Sequence, residues 1–146
     1  MTKKIIFTTI TILWLLVIFM FSDQKGIKSS NISDSFIDST IVNIYKLFDR
    51  DCSIEKQEEI VEMFSYPVRK LAHFTEYFIL GVLILITFKL YNIKNIYFMI
   101  LFCLLYAVSD EIHQLFIIGR SCSVIDMLID TLGSTCGIIC FTKKIK

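Results

Sequence analysis

Two histidines and a set of carboxylates are the residues here whose types and spacing could do chemistry. Histidine changes charge near neutral pH, and a carboxylate beside it can orient the ring for proton transfer. Arg69, His73, Glu76 and Tyr77 follow one another at three- or four-residue steps or adjacently, so a helix presents them on one side. Asp110, His113 and Gln114 repeat that pattern, with Glu111 also beside Gln114. Asp126 and Asp130 form a third group, and Arg120 lies between the second and the third.

Two chemistries suit such a set. His73, Glu76, Asp110 and His113 are donors of the kind a divalent metal takes, although no H-E-x-x-H signature is present. Without a metal, His113 or His73 would act as general acid or base, oriented by Asp110 or Glu111. Arg120 would then grip a phosphate or carboxylate with its planar fork. Ser109, Ser121 and Ser123 lie nearby but lack the G-x-S-x-G context of an activated serine. The expected catalytic group is therefore His73, Glu76, Asp110, Glu111 and His113. Arg69, Tyr77, Gln114, Arg120, Asp126 and Asp130 are the expected ligand-binding residues.

The elements that must carry these side chains are membrane helices. Hydrophobic residues make up 55% of the 146, with 13 Phe and a single Pro, above the usual share for a soluble domain. Four apolar stretches approach the length needed to cross a bilayer: about 5–21, 71–88, 96–116 and 124–141. The first follows Lys3 and Lys4 and lacks a small-x-small cleavage site before Ser22 and Asp23, which favours an uncleaved anchor. The expected fold is an all-α bundle of four transmembrane helices, forming one domain over 1–146.

Charge sets its orientation. Lys3 and Lys4, Lys89 and Lys94, and Lys143, Lys144 and Lys146 flank the spans in three groups. An even number of spans puts all three on one side, which the positive-inside rule makes the cytoplasm, with both termini there. The outer loop 22–70 would then carry an extracytoplasmic helical segment. Ile32, Phe36, Ile37, Ile41, Ile44, Tyr45 and Phe48 recur at helical spacing, and a short helix is expected from Ile54 to Phe64 behind a Ser53 cap. Pro67 falls in the expected first turn of the second span.

Depth brings the polar groups together. His73 and Glu76, Asp110 to Gln114, Arg120, and Asp126 with Asp130 all fall near the outer ends of their spans. At about 1.5 Å per residue they fit a layer roughly 10 Å thick. Asp126, Asp130, Gly133 and Gly137 lie within about 40° on one helix face, and Gly133-x-x-x-Gly137 is a close-packing motif. Acid inside a membrane is costly, so a shared outward pocket is the expected arrangement. Of the five cysteines, Cys103, Cys136 and Cys140 read as small hydrophobes. A bridge between Cys52 and Cys122 stays open. No basic patch interleaved with aromatics supports nucleic acid as a partner.

The stretch from Arg69 through His73, Glu76 and Tyr77 to Gly81 resembles the second helix of the VanZ-like family. Tyr106 through Asp110, Glu111, His113 and Gln114, then Gly119, Arg120, Asp126, Asp130, Gly133 and Gly137, resemble its third and fourth. Phe21 to Gln24 is similar to the segment after its first span. Ile118 departs from the proline usual before the Gly-Arg pair. The resemblance implies a bacterial envelope protein of the cytoplasmic membrane, in a family associated with low-level teicoplanin resistance. It carries no settled mechanism. The expected partner is an anionic membrane lipid or lipid-linked cell-wall precursor. An enzyme reading, a hydrolase or transferase on a lipid head group, stands beside a non-catalytic structural or binding subunit and a small transporter.

Overall fold

The computed structural model describes residues 2–23, 53–120 and 122–145, with 35–36, 39–40 and 43–44. Four long helices run through it: α1 Thr2–Ser22, α2 Ile54–Leu90, α3 Ile96–Gln114 and α4 Val124–Thr142. Each is long and apolar enough to cross a membrane. The fold is an all-α four-helix bundle, as expected. Most of the helix expected over 32–48 lies outside the described residues, as does Cys52. Cys122 carries a free thiol.

Local sequence explains the boundaries. Asn95 accepts from the backbone of Tyr97 and Phe98 to start α3, and Ser123 accepts from Asp126 to start α4. Each side chain satisfies a donor that a helix start would otherwise leave open. Gly119, at φ 80°, turns the chain in a conformation few other residues adopt, just before Arg120.

One expectation fails here. The short helix from Ile54 and the second span are a single 37-residue helix, and Pro67 sits inside it rather than in a first turn. Proline removes one backbone donor, but helix-forming neighbours on both sides carry the element through. At about 1.5 Å per residue α2 is roughly 55 Å long, well beyond a 30 Å hydrocarbon layer. The third helix ends at Gln114, slightly before its expected limit.

The α2–α4 seam is the tightest in the bundle. Gly133 lies against the Phe74 backbone, Gly137 against Phe78, and Gly81 against Ser134. A side chain on Gly133 would place its Cβ 2.5 Å from the Phe74 carbonyl oxygen. Three hydrogens in place of side chains let the backbones meet. Below this seam Leu80, Ile84, Leu85, Met99, Cys103 and Ile138 fill the core.

Polar contacts tie α1 to the rest. The Thr11 and Thr87 hydroxyls share a buried hydrogen bond of 2.8 Å. Trp14 Nε1 donates to the Glu76 carbonyl at 3.0 Å, and the Tyr106 hydroxyl donates to that of Leu15 at 2.6 Å. Tyr106→Phe should therefore cost about 0.5–1.5 kcal/mol, read as a fall in thermal unfolding temperature in detergent. An unchanged temperature would show that this bond contributes nothing.

Lys4 and Lys89 mark one end of the bundle. Lys4 sits over the Tyr91 ring in the α2–α3 turn, and Lys89 donates to the backbone of Thr142 and Ile145. The N-terminus, this turn and the chain end thus share one end, and the polar residues of interest lie toward the other.

Candidate functional site

Lys70, His73, Glu76 and Tyr77 come from α2, Asp110, Glu111, His113 and Gln114 from α3, and Asp126 and Asp130 from α4. Arg120 enters from the loop that Gly119 turns. All four helices contribute once the end of α1 is included, because Ser22 is buried beside Asp110 and the Phe21 carbonyl accepts from Arg120 at 3.4 Å.

Two polar contacts cross from α2 to α4. Lys70 binds the Asp126 carboxylate, with both side chains 14% exposed. One turn deeper, His73 Nδ1 lies 3.7 Å from Asp130 Oδ1, and the Asp130 side chain is wholly buried. The spacing follows from sequence: 70 and 73 are neighbours on one helix face, and 126 and 130 on another.

A hydrogen-bonded chain links α3 to α1. Gln114 donates to Asp110 at 3.3 Å and accepts from Arg120 at 3.1 Å. Glu111 accepts from the Ser123 backbone at 2.8 Å, which secures the start of α4. His113 stacks on Phe19, ring centres 4.3 Å apart, with Nε2 3.4 Å from Asp23. The expected orientation of a histidine by Asp110 or Glu111 is therefore corrected: Asp23 stands beside His113 and Asp130 beside His73. Both α3 carboxylates are turned to other partners.

The groups form one electrostatic cluster. Asp130 lies in the electrostatic field of Asp110, Glu111, Asp126 and Glu76, and Tyr77 in that of Asp110, Asp130 and Glu111. Arg120 is coupled to Arg69, Asp110, Glu111 and Asp126. Burial and the Arg69 guanidinium push the Arg120 pKa down while the three carboxylates push it up; a guanidinium keeps its proton in either case. Arg69 stands at the rim, its guanidinium 6.0 Å from the Tyr66 ring centre.

The centre holds more polar groups than it satisfies. Among the described residues, buried atoms without a hydrogen-bond partner are Ser22 Oγ, His73 Nδ1, Tyr77 Oη, Asp110 Oδ1, Glu111 Oε1, His113 Nε2 and both Asp130 oxygens. Every one belongs to this cluster. Such atoms are rare in folded proteins and call for a missing partner. A metal does not fit that role, because no three His, Cys, Asp or Glu side chains among the described residues converge to hold one. His73, Glu76, Asp110 and His113 are thus not a ligand set.

Lys70, Ser22, Asp23 and Ser123 were not among the expected residues. Lys70 had a signal, since it lies three residues before His73 and seven before Tyr77. Ser22 and Asp23 had only their depth, level with Arg120.

Fold and site together define a multi-pass helical membrane protein with a polar centre buried toward one end. A model of the VanZ/LLP1 family matches residues 7–145, and the chain belongs to that family. No curated protein and no solved structure matches it.

Proposed function

We propose that this VanZ-like protein sits in the bacterial cytoplasmic membrane with both termini inside. Its polar centre, opening outward, binds the anionic head group of an envelope lipid or lipid-linked cell-wall intermediate. The supporting observation is the set of unpartnered buried polar atoms gathered from α1, α2, α3 and α4. Orientation rests on the lysines at the opposite end of the bundle. Arg120, with Arg69 and Lys70 near it, supplies the positive charge that an anion needs. Gln114 and the Phe21 carbonyl fix where that charge stands.

Binding to purified protein in nanodiscs tests this reading. Phosphatidylglycerol should bind more tightly than phosphatidylcholine, and Arg120→Gln should weaken the anionic lipid by about tenfold, the worth of one charge-assisted contact. Equal binding of both lipids would overturn it. A contribution to low-level teicoplanin resistance belongs to the same proposal, and loss of the protein should then lower the inhibitory concentration.

A second reading, a hydrolase or transferase on such a head group, is favoured by the juxtaposition of His73 and Asp130. A carboxylate beside an imidazole can hold the ring for proton transfer. The purified protein should then convert a labelled envelope lipid, and His73→Gln should stop the conversion. A transporter draws less support, since the other half of the bundle is packed with apolar side chains and Thr11 and Thr87 bond each other.

A further inference from the structure

We infer that the head group taken by this centre carries hydrogen-bond donors, hydroxyls or an amine, in addition to its anionic group. The inference rests on the binding function proposed above and adds to it the chemistry of the head group. An anion satisfies Arg120 and its basic neighbours; it does nothing for the atoms beneath them. Four of those eight atoms are carboxylate oxygens, which accept when ionised. Both oxygens of Asp130, one of Asp110 and one of Glu111 are buried without a partner. Asp130 and Glu111 are wholly enclosed, and Asp110 is 3% exposed.

Three of the protein's own donors nearby are already committed, and the hydroxyls of Ser22 and Tyr77 with at most one His73 N–H are too few for four carboxylate oxygens that can each accept twice. Lys70 is on Asp126, Gln114 on Asp110's other oxygen, and the Ser123 amide on Glu111's other oxygen. Each carboxylate of α3 is thus half satisfied from within, and Asp130 has only His73 Nδ1 at 3.7 Å, beyond hydrogen-bond distance. A phosphodiester carries only acceptors at neutral pH and would face these oxygens with like charge. A hydroxylated or amine-bearing head offers O–H or N–H groups instead. Tyr77 Oη, wholly buried without a partner in the same cluster, can donate or accept for the same group. The chemical class is therefore a lipid phosphate bearing a polyol, sugar or amine.

Matched lipid pairs test this in nanodiscs of the full chain. Phosphatidylglycerol and phosphatidylmethanol carry the same charge, but only the first has head-group hydroxyls. Phosphatidylethanolamine and phosphatidylcholine are both zwitterionic, but only the first has N–H donors. At least one donor-bearing member should bind fivefold or more above its partner. Its advantage should shrink threefold or more in Asp130→Asn, which places an amide donor where only acceptors stood. A preference in the first pair identifies hydroxyls, and one in the second identifies an amine. Equal binding within both pairs overturns the inference, while anionic lipids still exceeding phosphatidylcholine would leave the binding function standing. Failure of every lipid to bind overturns both. Should Asp130→Asn not fold, the wild-type pairs alone decide.

Discussion

Replacing Gly133 with leucine should lower the stability of the bundle by about 3 kcal/mol or more. The first carbon of any side chain there would lie 2.5 Å from the Phe74 carbonyl oxygen, with the Phe74 carbonyl carbon 3.2 Å away. Neither atom belongs to a flexible side chain, so the backbones of α2 and α4 must part. Because Gly81 and Gly137 close the same seam against Ser134 and Phe78, separation at one level loosens the others. It also pulls Asp130 from His73, one turn from Gly133. Leu132→Ala is the control, since Leu132 is 58% exposed on the lipid-facing side and should change stability little. Thermal unfolding in detergent should show a much earlier transition for Gly133→Leu, and recovery of monodisperse protein should drop. Wild-type behaviour would mean that the seam is looser than described.

Lys70→Met should be the next most damaging change. Lys70 and Asp126 are paired across α2 and α4 with little access to water, and removing the ammonium strands a carboxylate. Breaking such a pair costs about 3–5 kcal/mol when fully buried, and about 2–4 kcal/mol once partial exposure is discounted. The double change Lys70→Met with Asp126→Leu should recover most of that loss, because neither charge is then left alone. Unfolding of both single variants and the double completes a thermodynamic cycle. A double variant no better than Lys70→Met would show that the two side chains do not depend on each other.

The helices and the contact face of α4 were legible because they rest on strong, local signals. Length and hydrophobicity specify a membrane span, and Asp126, Asp130, Gly133 and Gly137 fall on one face whatever the partner helix is. The continuity of α2 was not legible. Pro67 reads as a helix start in sequence, and only the packing of the residues around it decides that one lost bond is tolerated. The partners inside the site were hidden for a different reason. Asp110 and His113 are neighbours on α3 by spacing, yet the His113 ring turns to Phe19 and Asp23 on α1. Spacing along one helix states who shares a face; it cannot state which way a side chain leans toward another helix. Lys70 shows the cost of attending to one residue of a pair. Arg69 shares the face of His73 and Glu76 by spacing, while its neighbour forms the ion pair.

The unpartnered oxygens of Asp130 are where the account is most exposed. An experimental structure of the full chain purified with its native lipids, at a resolution that shows head groups, would test it most directly. Density from a lipid head should reach Asp130 and Tyr77 from the outer side, with its anionic portion against Arg120. Carboxylates closed on one another or on water alone, with every lipid confined to the outer surface of the helices, would contradict the proposal.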